Sequence, residues 1–178
     1  MKSTPWSNSS DAKAMSDRFF DVSAYAYAHR GLWGGAVPEH SLAAFEAAKA
    51  AGVGVELDVR LTADGVPVVF HDAGLERMCG HRELLARVMA ADLGQHRLPD
   101  GSAIPTLAQV LAVMGDLPVL IELKVDGLAG DIADRVAAAI EGLRGLYGVM
   151  SFDEPSAARL CRLVTDRPVG LLAIADNQ

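Results

Sequence analysis

Cysteine is scarce in this chain, with only Cys79 and Cys161 among its 178 residues. The two lie far apart and have no CxxC spacing, so they provide neither a cysteine-ligated zinc site nor a disulfide framework. Free thiols are typical of a reducing compartment, and we therefore predict a cytoplasmic protein.

Blocks of Lys and Arg are absent as well. The chain has 16 Lys and Arg against 23 Asp and Glu, a formal net charge of -7, and its pI is near 5.1. An acidic chain without a basic block is a poor match for nucleic acid, whose binding depends on neutralising phosphates. The same charge balance argues against electrostatic docking to anionic membranes.

Long hydrophobic runs are also missing. No stretch approaches the ~20 apolar residues that a membrane-spanning helix needs, so we expect no integral membrane segment. The first residues are polar and lack the apolar core of a secretory signal. We predict that residues 1–20 are a disordered leader, or residues foreign to the natural protein.

The rest of the chain is apolar enough to form one domain, since hydrophobic residues make up 51% of the sequence. Short apolar runs alternate with helical patterns, which predicts an α/β fold with a parallel sheet, right-handed crossovers and strands that are apolar on both faces. The predicted strands are 24–28, 53–59, 66–70, 118–123, 148–152 and 169–174. The predicted helices are 38–51, 83–91, 106–114, 132–143 and 155–163.

Groups able to hold a cation or move a proton follow four of these apolar runs. They are His29-Arg30-Gly31, Glu56-Leu57-Asp58, His71-Asp72 and Glu122-Leu123-Lys124. A site built at one end of a parallel barrel has this pattern in sequence. The residue types indicate metal-assisted acid–base chemistry.

Three carboxylates in this set are candidate metal ligands. Glu56 and Asp58 are two residues apart on a strand and so point to the same side, and Glu122 can add an oxygen from another strand end. Oxygen ligands suit Mg²⁺ or Ca²⁺. The alternative is that these acids are solvated and paired with Arg60 and Lys124.

His29 and His71 follow directly on two different apolar runs, which makes them candidates for a general acid and a general base. A lone histidine is more often a hydrogen-bonded structural residue. That structural interpretation suits His81 and His96.

Two cationic side chains could hold a phosphate. Arg30 offers a fixed fork of donors for a phosphate or a carboxylate, although a salt bridge to Glu39 or Asp58 would also explain it. Lys124 shares the face of Glu122 and could neutralise negative charge that develops on a substrate oxygen.

At these residues the chain resembles the glycerophosphodiester phosphodiesterase family. The matching segments follow the family's order and spacing from about Tyr25 to the end of the chain. They are His29-Arg30-Gly31, Pro38-Glu39-His40-Ser41, Glu56-Leu57-Asp58-Val59, Asp64 to Asp72, Ile104-Pro105-Thr106-Leu107, Glu122-Leu123-Lys124 and Ser151-Phe152-Asp153.

The resemblance implies a TIM-type (β/α) barrel with its site at the carboxyl ends of the strands. Residues 21–178 would be a partial phosphodiesterase barrel domain with a small insertion at about 73–103. The implied roles are a divalent metal, Mg²⁺ or Ca²⁺, held by Glu56, Asp58 and Glu122, an acid–base pair of His29 and His71, and phosphate contacts from Arg30 and Lys124.

Two departures from the family pattern affect what we expect. His40 stands where the family usually has Asn, and we predict that it supports the metal site from behind the ligands. A full barrel has eight strands and typically ~250 residues, whereas this chain shows six predicted strands. We therefore expect the natural protein to continue for two more strand–helix units.

The leading hypothesis is metal-dependent hydrolysis of glycerophosphodiesters to an alcohol and sn-glycerol 3-phosphate. One alternative is a lipid phosphodiesterase of the sphingomyelinase D or lysophospholipase D type, with Leu32 to Gly35 as an apolar rim. An enolase-type metal barrel is a weaker alternative, because it would not need His29 and His71 together. The last is a non-catalytic barrel fragment that forms homo-oligomers through open sheet edges.

Overall fold

One six-stranded sheet organises the computed structural model, which describes residues 20–125 and 132–173. Its order is β1-β2-β4-β5-β6, with β3 paired to β2. All pairings are parallel except the one between β2 and β3. The strands are β1 (Tyr27–His29), β2 (Gly54–Leu61), β3 (Pro67–Val69), β4 (Val119–Leu123), β5 (Tyr147–Ser151) and β6 (Val169–Leu171).

The prediction that every strand is parallel was wrong for β3. Val69 lies opposite Val59 and Pro67 opposite Leu61, so β3 runs antiparallel to β2. Only residues 62–66 join the two strands, and a parallel crossover needs a dozen or more. A left-handed Gly65 (φ 78°) closes this turn. The Asp64-Gly65 pair is of the type that closes β-hairpins.

Strands β1 and β3 share one edge of β2. Strand β4 pairs with β2 from Val55 to Val59 and so occupies the other edge. Strand β1 pairs with the first part of β2, as far as Glu56, and β3 with the last part, from Val59. Because β1 and β3 run in opposite directions, their carboxyl ends face each other along β2.

Five α-helices are described: α1 (Leu42–Ala50), α2 (Glu76–Cys79), α3 (Leu107–Met114), α4 (Ile132–Ile140) and α5 (Glu154–Leu163). Side-chain caps fix the starts of three of them. Ser41 accepts from the Ala44 N–H before α1, and Asp153 caps α5 in the same way. Thr106 caps α3 in a reciprocal capping box with Gln109.

The main core lies between these helices and one face of the sheet. Alternate strand residues such as Leu57, Val59 and Ile121 pack there against helix residues such as Phe45 and Leu160, and all are buried. The opposite face is not equally apolar, contrary to the prediction. It carries charged residues because every second residue of β2 and β4 points away from the helices.

Residues 73–103, the predicted insertion, contribute most of a second, smaller core; we call this segment the insertion below. Leu75, Leu85, Val88 and Leu93 pack there with residues of β3 and its flanks. The predicted helix at 83–91 was wrong: two 3₁₀ helices, Leu85–Arg87 and Ala90–Gln95, replace it. Val88 between them is extended, which directs the successive apolar side chains into one cluster.

The predicted ends of the other helices and strands differ from the observed ends by a few residues. A short 3₁₀ helix, Val22–Ala24, precedes β1, and α1 begins only after its Ser41 cap. Residues 1–19, 126–131 and 174–178 lie outside the described ranges, and with them most of the predicted leader and the end of the predicted last strand. Among the described residues, every helix is too short or too polar to cross a membrane.

We expect Phe45→Ala to lower the free energy of unfolding by about 3–5 kcal/mol, because it empties a fully buried position between α1 and the sheet. Glu46→Ala is the matched control on the exposed side of the same helix and should change the value by less than about 0.5 kcal/mol. Chemical denaturation monitored by circular dichroism measures both. Equal losses for the two variants would contradict this placement of the core.

Candidate active site

Three carboxylates meet on the face of the sheet that points away from the main core. Glu56 and Asp58 project from β2, and Glu122 lies directly opposite Asp58 on β4. Each of the three offers an oxygen within 4.8 Å of the others. The structure therefore brings together the three residues that the sequence marked as metal ligands.

Two cationic side chains partly neutralise this cluster. The Lys124 ammonium lies 3.0 Å from Asp58 Oδ1 and also pairs with Glu122. Arg30 Nε is 3.4 Å from Asp58 Oδ2, and its Nη1 donates to Glu39 Oε1 at 3.2 Å. Both carboxylate partners considered for Arg30 are thus confirmed. Glu56 has neither cation beside it.

The pKa values of the carboxyl groups reflect this asymmetry. Burial, together with repulsion from Asp58 and Glu122, raises the pKa of Glu56 to about 7. Burial also acts to raise the pKa of Asp58, but the His40 imidazole and the Lys124 ammonium outweigh it and lower the value to about 2.

Two buried oxygens of the cluster lack a hydrogen-bond partner among the described residues. They are Glu56 Oε2 and Asp58 Oδ2. Buried carboxylate oxygens are normally paired or bound to a metal, since leaving them unpaired is costly. The residues present therefore fit a bound cation, and an all-oxygen donor set suits a hard divalent ion.

His29 lies at the rim of the cluster. It ends β1 directly opposite Glu56, so both side chains leave the same face of the sheet. Its Nε2 is 3.8 Å from Glu56 Oε2, and 67% of the side chain is exposed. The imidazole thus stands between the carboxylates and solvent.

His71 reaches the same region from the opposite direction. After β3, the Phe70 N–H donates to Asp58 O at 3.0 Å, as the Arg30 N–H does to Glu56 O at 2.9 Å after β1. His71 O then accepts from Arg60 Nε at 2.7 Å. The antiparallel strand, which the sequence analysis read as parallel, is what returns His71 to this stretch of β2.

A chain of ion pairs orients the His71 ring. Its Nδ1 lies 2.7 Å from Asp72 Oδ1, and Arg77 donates to Asp72 at 2.5 Å and to Glu39 at 2.6 Å. The hydrogen bond from Arg77, despite partial burial, lowers the pKa of Asp72 to about 2. Because an ionised carboxylate only accepts, His71 carries its hydrogen on Nδ1 and leaves Nε2 free to accept.

Arg77 and the supporting role of Asp72 were missed by sequence reasoning, which considered Glu39 only as a partner of Arg30. Asp72 stands beside His71 in the chain, which was an available signal for an orienting carboxylate. Arg77 lies 38 residues from Glu39. No local sequence pattern predicts a contact over that separation.

His40 lies behind the carboxylates and is 1% exposed. Burial lowers its pKa despite the adjacent Asp58 carboxylate, so the ring is neutral. Its Nε2 accepts from the Asp58 backbone N–H at 3.3 Å. The same nitrogen lies 3.3 Å from Asp58 Oδ2, and His40 is not among the three residues whose ligand atoms converge; its supporting role behind the ligands stays a prediction.

Two non-glycine residues among those described have positive φ, and both lie at this site. They are Arg30 (φ 61°) and His40 (φ 59°), joined by a hydrogen bond from His40 N to Arg30 O. Asn and His are among the residues that tolerate this conformation best. This explains how histidine can stand where the family pattern usually has asparagine.

A cavity of about 330 Å³ opens beside Lys124. Glu122, Arg60 and Phe152 line it, and the Lys124 ammonium lies 5.9 Å from the centre of the Phe152 ring. The cavity gives a small anionic molecule access to the positively charged side of the cluster.

A model of the glycerophosphoryl diester phosphodiesterase family matches residues 29–147, which is more than half of the chain. The matched range contains all seven predicted site residues. The chain belongs to this family.

Curated relatives carry the same family name. The chain is 35% identical over 143 residues to "Probable glycerophosphodiester phosphodiesterase 2" of Mycobacterium tuberculosis, covering 80% of this chain and 53% of the relative. It is 38% identical over 132 residues to the bovine glycerophosphodiester phosphodiesterase 1, covering 68% and 40%. The chain therefore spans about half the length of these two relatives.

Solved structures of family members share the fold. A phosphodiesterase from Oleispira antarctica, crystallised with the product sn-glycerol 3-phosphate, is 27% identical with a TM-score of 0.72, covering 82% of this chain and 65% of that one. The Thermotoga maritima glycerophosphodiester phosphodiesterase is 31% identical with a TM-score of 0.68, covering 85% and 62%. The predicted TIM-type α/β fold class is confirmed.

We expect His40→Ala to lower the free energy of unfolding by about 1–3 kcal/mol, because it leaves the buried Asp58 N–H unpaired. His40→Asn should cost less, since asparagine tolerates positive φ and can still accept from that N–H. Urea denaturation of the two variants tests this order. A larger loss in the asparagine variant would contradict the assigned role of His40.

Proposed function

We propose that this chain is the catalytic part of an enzyme that hydrolyses glycerophosphodiesters to an alcohol and sn-glycerol 3-phosphate. The observation that carries the proposal is the carboxylate cluster, which combines two buried oxygens that lack a hydrogen bond among the described residues with flanking cations and two histidines. Family membership supports the same reaction class.

Glu56, Asp58 and Glu122 would hold a divalent cation, and we propose Mg²⁺ or Ca²⁺ because every donor is a carboxylate oxygen. Lys124 and Arg30 only partly neutralise the three carboxylates, because Arg30 is shared with Glu39, so negative charge remains for the ion to balance. When bound, such an ion polarises a phosphoryl oxygen and lowers the pKa of a hydroxyl or water.

Arg30 and Lys124 are proposed to bind the phosphate. Both are held against carboxylates on the functional face, and about a fifth of each side chain is exposed. Their fixed charges would stabilise negative charge as it develops on the phosphoryl oxygens. Glu39 keeps the Arg30 guanidinium in place through two hydrogen bonds.

His71 and His29 are proposed as the acid–base pair. In its neutral form His71 presents Nε2 as an acceptor, because Asp72 holds the hydrogen on Nδ1, which suits it to take a proton from the attacking water. His29, exposed at the rim, would give a proton to the leaving alkoxide. Overall, the P–O bond to the alcohol breaks and a new P–O bond forms with water.

A second candidate, phosphodiester cleavage on lysolipids, is favoured by one observation. A cavity of about 460 Å³ lies beside Glu39 and Arg77 and is lined by Trp33, Met78 and Pro99, among others. Trp33 is 51% exposed, so an acyl chain could lie against it. Faster turnover of a lysophospholipid than of glycerophosphocholine would support this candidate.

Two further expectations stay predictions. A homo-oligomer would form through β1 and β6, which are the outer strands of the sheet within the described residues. The cytoplasmic location rests on the cysteine content alone.

Removal of the divalent ion should abolish activity. We expect release of sn-glycerol 3-phosphate from glycerophosphocholine with added Mg²⁺ or Ca²⁺, and none with EDTA, because the ion is needed to balance the carboxylates. Glu56→Gln should weaken binding of the same ion in calorimetry, since it removes a ligand charge. Equal activity with EDTA would contradict the metal role.

His29→Ala and His71→Ala should each reduce turnover by roughly a hundredfold or more, the usual effect of removing an acid or base. Neither should much change metal affinity or thermal stability, because neither belongs to the ligand set. Steady-state kinetics, calorimetry and thermal melting separate these effects. If the variants lost stability but kept turnover, both histidines would be packing residues.

A further inference from the structure

A second histidine pair lies in the insertion, outside the proposed active site. His81 follows α2, and His96 follows the 3₁₀ helix Ala90–Gln95. Their Nδ1 atoms are 2.7 Å apart, and the rings meet edge-on with centroids 4.7 Å apart. The hydrogen-bonded role predicted for these histidines is confirmed, but the geometry supports a more specific one.

Glu83 favours one position of the hydrogen on the His96 ring. A carboxylate oxygen of Glu83 lies 3.4 Å from His96 Nε2, which favours a hydrogen on that nitrogen. His96 Nδ1 then has a lone pair and accepts from the His81 Nδ1–H. A carboxylate behind one imidazole nitrogen, with a lone pair on the other nitrogen, is the usual arrangement of a metal-binding histidine.

The surroundings suit an ion that enters from solvent. His96 is only 6% exposed, so its ring is held in place, whereas His81 and Glu83 are exposed. Together with Arg82 and Gln95 they line a cavity of about 390 Å³. His96 is thus preorganised as a ligand, whereas His81 can change its orientation.

We propose that His81 and His96 bind a borderline divalent ion such as Zn²⁺ through their Nδ1 atoms. The two nitrogens would separate to about 3.3 Å, as Zn–N distances near 2.0–2.1 Å in a tetrahedral site require. His81 would move its hydrogen from Nδ1 to Nε2, so no net proton is released. Water would complete the coordination.

This site differs in chemistry from the carboxylate cluster. Imidazole nitrogen favours Zn²⁺ and similar ions, whereas carboxylate oxygens alone suit Mg²⁺ or Ca²⁺. A bound ion would also join the loop after α2 to the end of the 3₁₀ helix. Because it binds only the folded insertion, it should raise thermal stability.

Calorimetric titration of the whole chain with ZnCl₂, in the presence of excess MgCl₂, tests the proposal. We expect one equivalent of Zn²⁺ to bind, and His81→Ala to weaken it by roughly a hundredfold or more, since a lost ligand exceeds the effect of a lost supporting carboxylate. Glu83→Gln should weaken it roughly tenfold. Arg82→Gln is the matched control, because it lines the same cavity without a ligand atom, and should bind at least as well.

A second measurement reports which ring nitrogen of His81 carries the hydrogen. In ¹⁵N spectra, Zn²⁺ should shift the Nδ1 resonances of both rings, and the His81 hydrogen should appear on Nε2. Because His81 is exposed, its variant should still fold. Zinc binding that survives in His81→Ala but is lost in Glu56→Gln would overturn the proposal, as would no zinc binding at all.

Discussion

Repulsion among three carboxylates on one sheet face is the constraint on which the functional half of this molecule depends. The ligand atoms of these residues, Glu56, Asp58 and Glu122, all lie within 4.8 Å of one another. The fold must therefore supply positive charge nearby. Lys124 and Arg30 supply part of it. Burial, together with the repulsion that these cations leave uncompensated, raises the pKa of Glu56 to about 7.

The cations are themselves held by further acids. Arg30 is anchored by Glu39, and Arg77 joins Glu39 to Asp72 and so to His71. A single network of alternating charges thus runs from the carboxylate cluster to a catalytic candidate. Its members come from β2, β4, the loop after β1 and the start of the insertion, which places the insertion's first residues within the site.

Much of the site could be predicted from the sequence because strand periodicity is local. Two residues on one strand share a face, so Glu56 and Asp58 were certain to be neighbours, and parallel strands bring their carboxyl ends to one edge. The direction of β3 was missed because its apolar run looks the same in either orientation. The decisive information lay in the five residues of the preceding turn, which are too few for a crossover. The contact of Arg77 with Glu39 depends on how the insertion folds back, which no periodicity encodes.

The two faces of β2 have different tasks, so the number of residues in this strand matters more than the identity of any one of them. Leu57 and Val59 face the helices, while Glu56 and Asp58 face the functional side. Deleting one residue within β2 would reverse every side chain beyond that point, directing carboxylates into the apolar core and leucine to the site. The loops that flank β2 have no such alternation. A change in the length of a flanking loop therefore leaves the two faces of β2 in place, whereas a one-residue change within the strand exchanges them.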